Sequence, residues 1–261
     1  MPDASARPAP PLLLAAAIFV GAYVLTLASR LQPIHLQPWW PRLVSGWLVI
    51  GASLAFVELG RRQQFSPRRL AAILGGSAVF VFAVTYLRLR DPSFLVSKDL
   101  AQLAMAALLG GLLARHILHD EVLLTISALV VVTDLWSVNR GVTRALLDAD
   151  LLDYFLLNFP VLLRPEIGYF IGTSDFVLAA IYLAFAERMR AAPWKAPLAL
   201  FLGMGTAATL AIALARPLPV LPFMVPLYHL LVLPCRLTLG REGLNLLVAG
   251  AAALAVVAML W

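Results

Sequence analysis

Two aspartates, Asp134 in VVVTDLWSVNRG and Asp175 in GYFIGTSDF, each lie inside a long apolar segment. A carboxylate in hydrocarbon is costly, at about 2.5–3.5 kcal/mol for Asp at the centre of an inserted helix. Two on neighbouring segments call for a purpose. Asp134 precedes the exit at Arg140 and Asp175 follows an entry at Gly168. At about 1.5 Å per residue, both would sit roughly 9–11 Å below the same surface. Helices joined in sequence are usually antiparallel neighbours, so the carboxyl groups could meet. Two carboxylates at hydrogen-bond distance cannot both ionise and would share one proton. Such a pair can activate water against an amide: one carboxylate takes the proton while the other acid protonates the developing oxyanion. No metal and no organic cofactor is needed. The same two residues would serve proton-coupled transport equally well.

The elements that must position them are membrane spans. Of the 261 residues 62% are hydrophobic and only 13% charged, which excludes an ordinary soluble domain. The net charge of +6 comes from arginines clustered between apolar runs, as membrane flanks are. No basic face with interleaved aromatics appears, so nucleic acid is not an expected partner. The single cysteine, Cys235, allows neither an intrachain disulfide nor a cysteine metal site. Candidate spans are 11–29, 43–60, 70–87, 98–116, 121–138, 169–187, 195–214, 219–235 and 243–261. The first is expected to stay as an uncleaved helix, because no small-x-small cleavage pattern follows it. A small excess of Lys and Arg, with RRQQFSPRR as its strongest contribution, points to a cytoplasmic amino terminus. Gly75-Gly76, Gly110-Gly111, Gly203 and Gly205 would let helices approach closely.

The longest break between spans runs from Asn139 to Gly168. Its segment VTRALLDADLLDYFLLNFPVLL, carrying Asp148, Asp150 and Asp153, reads as an interfacial or partly inserted helix, or as an amphipathic connector. His229 reads as an interhelical partner and Asn245 as helix–helix glue. Glu58, Glu187 and Arg115 read as snorkelling flanks. The tryptophans read mostly as interfacial anchors.

Prolines at 217, 219, 222 and 226 cannot begin a regular helix, so Arg216 to Pro222 should be extended or irregular. Irregular backbone at membrane depth is tolerated where it lines a cavity. Its free amides and carbonyls could pair with an unwound substrate strand.

With Asp134 in TDLWSV, Asp175 in GTSD and Pro219, Val220, Leu221 and Pro222 in sequence, the stretch Leu123 to Leu230 resembles the presenilin and signal peptide peptidase family of intramembrane aspartyl proteases. That family carries a Tyr-Asp pair, a Gly-x-Gly-Asp motif and a Pro-Ala-Leu motif in the same order. The segment DLWSVNRGVTRALLDA is most similar to archaeal and bacterial members. The resemblance implies Asp134 and Asp175 as catalytic residues. It implies Gly172, Thr173, Ser174 and the residues from Pro219 to Pro222 as the substrate-binding ones. Three positions depart from the pattern: Thr133 for Tyr, Ser174 for the second Gly and Val220 for Ala. Ser174 bears most on activity, because a Gly beside the acid leaves room for a substrate backbone or facing helix. The family's proline-motif helix is normally the last of nine, whereas here 243–261 follows it.

The expected fold is therefore an all-α, polytopic bundle of eight to nine transmembrane helices, presenilin-like, in one domain over 1–261. Amino-terminal helices would occupy 1–120, the catalytic half 121–235 and a carboxy-terminal helix 236–261. The expected function is intramembrane aspartyl proteolysis of transmembrane helices or remnant signal peptides, in a prokaryotic cytoplasmic membrane. A catalytically silent relative that binds membrane helices and a proton-coupled transporter are the alternatives. A transporter should show internal repeats, and only the second half has aspartates and a proline motif.

Overall fold

A computed structural model of the chain describes residues 17–21, 23–24, 40–117, 120–149, 151–161, 167–214 and 217–232. Most of the expected 11–29 span, and all of 243–261 with Asn245, lie outside them. The described residues are mostly helical, with eight helices among them in the order α1 (Trp40–Arg61), α2 (Pro67–Tyr86), α3 (Pro92–Ala114), α4 (Asp120–Asn139), α5 (Val142–Asp148), α6 (Thr173–Arg188), α7 (Lys195–Leu214) and α8 (Leu221–Val232). Among the described residues, five helical segments are long and apolar enough to cross a membrane: Trp40–Arg61, Pro67–Tyr86, Pro92–Ala114, Val122–Leu146 and Lys195–Leu214.

Local chemistry sets the starts. Ser66 caps α2, accepting from the Arg69 amide at 3.5 Å, and Pro67 supplies the preset φ of a first helical turn. Pro92 does the same for α3. That helix therefore begins ahead of the expected 98–116 span, and Lys98 and Asp99 lie inside it rather than at its edge.

The connector between α4 and α6 corrects the sequence expectation. Only Val142–Asp148 is helical, started by Ser137, whose Oγ accepts from the Thr143 amide at 3.1 Å. A 3₁₀ turn at Leu152–Tyr154 follows, then an antiparallel hairpin of β1 (Leu156–Pro160) and β2 (Ile167–Gly172). Pro160 and Pro165 deny this apolar stretch the amides a continuous helix needs. Cα partners are Pro160↔Ile167, Phe159↔Gly168, Asn158↔Tyr169 and Leu156↔Gly172, so β2 carries one extra residue before its end. The expected 169–187 span thus starts as strand, and its helix begins at Thr173. Leu157, Phe159 and Ile171 are buried, and Phe159 takes Phe19 and Tyr23 edge-on. Hairpin backbone inside a membrane protein has to be enclosed by protein in this way.

The core forms where α3 lies along α6 and where α7 lies along α8, with α1 bridging both pairs. Gly110 presses on the Val177 carbonyl and the Ala180 methyl, and Gly203 on the Met224 backbone. Gly75 and Gly76 face open space, so the close-approach expectation fails for them. Gly110→Ala should lower the unfolding midpoint in detergent by the equivalent of about 1–3 kcal/mol of overpacking. Gly75→Ala should leave the midpoint level or raise it slightly.

The carboxy-terminal end of α6 is exposed but tied down by ion pairs and hydrogen bonds. Arg61, with its side chain 6% exposed, bridges Glu58 at 2.7 Å and Glu187 at 2.8 Å. Arg188 donates to the carbonyls of Ala114, at 2.9 Å, and Ile117, at and just past the end of α3. Glu58 and Glu187 are therefore partners in a bridge between α1 and α6, not merely snorkelling flanks. Trp47 is not an interfacial anchor either: its Nε1 donates to Thr209 Oγ1 at 3.1 Å inside the α1–α7 contact.

Candidate active site

Three segments distant in sequence meet around Asp134. Its carboxylate lies late in α4, half-buried, and its Oδ2 accepts from the Leu221 amide at 2.9 Å. The cause is the proline run. Pro217 to Pro219 are irregular and Val220 is a bend, so α8 starts abruptly at Leu221. The first amides of any helix lack intrahelical acceptors. Those of Phe223 and Met224 turn back to the Val220 carbonyl at 3.1 Å. That of Leu221 goes to Asp134, which caps α8 from another helix. The expected irregular backbone over Arg216 to Pro222 is found at Pro217 to Val220, while Leu221 and Pro222 are already helical and Arg216 lies outside the described residues.

Asp175 occupies the third position of α6 and is 9% exposed. Its Oδ2 accepts from the Gly172 amide at 3.3 Å, closing the helix start on itself. It is also within electrostatic reach of Asp134. Both acids therefore stand at helix amino termini, where backbone N–H groups gather. The sequence expectation placed Asp175 about two turns deep in its helix; because β2 runs to Gly172, it lies in the first turn instead.

The other expected site residues divide. Gly172 closely backs Asp175: a side chain there would stand 3.3 Å from Asp175 Oδ2 and from Ser174 Oγ. Ser174 is exposed, and its hydroxyl makes no hydrogen bond to the Asp175 carboxyl among the described residues. Thr173 turns the other way, its amide and Oγ1 both donating to the Phe155 carbonyl at 2.8 and 2.9 Å. Pro219 and Val220 are buried next to the Asp134 contact, and Pro222 is half-buried. Thr133, at the family's Tyr position, bonds back to the Leu129 carbonyl at 2.8 Å and is exposed.

A second polar set, which sequence reading located only in His229, joins the same three helices. Ser127 Oγ of α4 meets Tyr182 OH of α6 at 2.7 Å and His229 Nε2 of α8 at 3.1 Å. Tyr228 OH donates to the Tyr182 carbonyl at 2.8 Å. His229 Nδ1 has no partner among the described residues. The Ser127–Tyr182 bond thus joins α4 directly to α6, and His229 ties α8 to the same point. A third set also escaped the sequence reading. Lys98, Asp99 and Gln102 of α3 are buried against the start of the hairpin. Their signal was visible as K-D-x-x-Q within an apolar run, a spacing that puts all three on one stretch of helix surface.

Comparison with known protein families, with curated proteins and with solved structures finds no match to this chain.

Proposed function

We propose that this chain is an intramembrane aspartyl endopeptidase of the presenilin and signal peptide peptidase type. In this reading it is a presenilin-like, multi-pass bundle of eight to nine helices in a prokaryotic cytoplasmic membrane. It hydrolyses peptide bonds within transmembrane helices or remnant signal peptides. The observation that carries the reading is the meeting at Asp134. The proline segment delivers the Leu221 amide to its carboxylate, with Asp175 in electrostatic reach.

The chemistry then follows from two acids that hold one proton between them. A water between them loses a proton to the carboxylate as its oxygen attacks the scissile carbonyl carbon. The protonated acid gives its proton to the carbonyl oxygen, and a neutral gem-diol forms. Return of a proton to the amide nitrogen lets the C–N bond break, leaving a carboxyl product and an amine. Gly172, Ser174 and the segment from Pro219 to Pro222 bound the space in which an unwound substrate would lie.

A silent relative is the second reading. It is favoured by the fact that each acid already has a structural duty, Asp134 as a cap for α8 and Asp175 within the start of α6.

The test is cleavage of a single-pass helical substrate by the purified chain in detergent. Loss in both Asp134→Asn and Asp175→Asn supports the protease. Survival in either assigns the cleavage to something else. Ser174→Gly is expected to raise the rate several-fold, since an exposed side chain beside Asp175 obstructs substrate without supporting the acid. A parent that is inactive until Ser174→Gly is introduced is the silent relative. If parent and glycine variant both fail across several substrates, the choice moves to helix binding or proton-coupled transport.

A further inference from the structure

The proposed catalysis leaves a buried charged group without a role. Lys98 and Asp99 follow one another in α3 with side chains 1% and 0% exposed, and their charged atoms lie 3.8 Å apart. Burying two charges inside a span is costly, and apolar residues of similar size would stabilise the packing at least as well. The α3–α6 contact is already made by Gly110 against Val177 and Ala180.

What the charges reach is main chain. Lys98 Nζ donates to the Asp153 carbonyl at 2.9 Å and the Leu156 carbonyl at 3.3 Å. Both oxygens of Asp99 accept from the Asn158 amide at 3.1 Å. Gln102 Nε2 donates to the Tyr154 carbonyl at 2.9 Å. One patch of α3 thus holds the backbone from Asp153 to Asn158. An ammonium takes only carbonyls and a carboxylate only N–H groups. A slip of one residue would bring a carbonyl against Asp99, so this pair specifies register as apolar packing does not.

That register is passed on. Leu156 is paired with Gly172 across the hairpin, and the Phe155 carbonyl takes both Thr173 donors. Gly172 in turn donates to Asp175. We propose that Lys98 and Asp99, seconded by Gln102, are positioning residues for Asp175: they fix the height of the hairpin on α3, and the hairpin sets the first turn of α6. The proposal rests on the reading that Asp175 works together with Asp134.

Crosslinking of paired cysteines tests it without relying on proteolysis. In a full-length Cys235→Ser background, Asp134→Cys and Asp175→Cys are joined with dibromobimane, a short bis-thiol reagent. Ser127→Cys with His229→Cys, between α4 and α8, serves as the control pair. The neutral variant Lys98→Met/Asp99→Leu is expected to slow the 134–175 crosslink about tenfold, the scale of a lost charged hydrogen bond. Asp99→Asn, which keeps an acceptor for the Asn158 amide, should slow it less. The control pair should react as in the parent. An unchanged 134–175 rate in the neutral variant overturns the proposal. So does an equal fall of both pairs in both variants, which would mark a general packing element. A parent in which the control reacts and the 134–175 pair does not removes the facing acids, and the proposal with them. A parent that crosslinks as expected but cleaves nothing sinks the protease reading alone.

Discussion

Asp134→Asn is expected to lower cleavage by about 10²–10⁴-fold, the usual contribution of a positioned acid or base. The structure makes this substitution informative because its effect on folding should be small. The amide Oδ1 of asparagine can accept from the Leu221 amide as the carboxylate Oδ2 does at 2.9 Å, so the cap on α8 is kept. The stability change should stay within about 1 kcal/mol, the net value of a single hydrogen bond. The side chain loses its ability to take a proton from water or share one with Asp175. A thermal melt alongside the cleavage assay separates the two effects. A melt unchanged from the parent with cleavage gone places the loss in chemistry. Cleavage at the parent rate would remove Asp134 from any catalytic role and leave it as a cap.

The second large effect is on stability. Lys98→Met should cost about 3–5 kcal/mol, because it leaves the fully buried Asp99 without its cation. Lys98→Met/Asp99→Leu should cost less than that single change. It removes both charges together; the Asp153 and Leu156 carbonyls lose the Lys98 donor in either variant, and the double change adds only the unsatisfied Asn158 amide, a penalty of about 1–3 kcal/mol. Unfolding midpoints in mixed micelles for the parent, both single variants and the double variant give the coupling directly. A double variant less stable than Lys98→Met would mean that the two charges act independently, and that the backbone bonds rather than the pairing carry the energy.

The parts of this molecule that sequence reading reached are those with strong local signals. An aspartate in hydrocarbon is conspicuous wherever it falls, so Asp134 and Asp175 stood out before any fold was known. Proline lacks an amide, and the break at Pro217 to Val220 follows from composition alone. Span limits were equally legible wherever apolar runs met charge clusters, as at RRQQFSPRR. The rest depends on partners far along the chain. The hairpin lies in a stretch whose apolar content suits a helix as well as a strand, and its pairing is decided by what encloses it. Lys98 and Asp99 read as the edge of a span because their partners are main-chain groups 55 to 59 positions away. The same holds for Asp134: its place in an apolar segment was visible, but its hydrogen bond to Leu221, 87 positions on, was not.

Helix α2 has a consequence of another kind. Of its 20 residues only Val81 and Val84 are buried, while Val79, Phe82 and Tyr86 face outward. At about 1.5 Å per residue it is about 30 Å long, close to the hydrocarbon thickness of a typical bilayer. A spanning helix with so few buried residues among those described would answer hydrophobic mismatch by tilting. Just past its end, Arg90 holds Asp153 at 3.1 Å, at the head of the hairpin. For an α2 that crosses a bilayer, lipid chain length would then be a variable: short-chain and long-chain bilayers would give it two inclinations at the turn that leads into the hairpin.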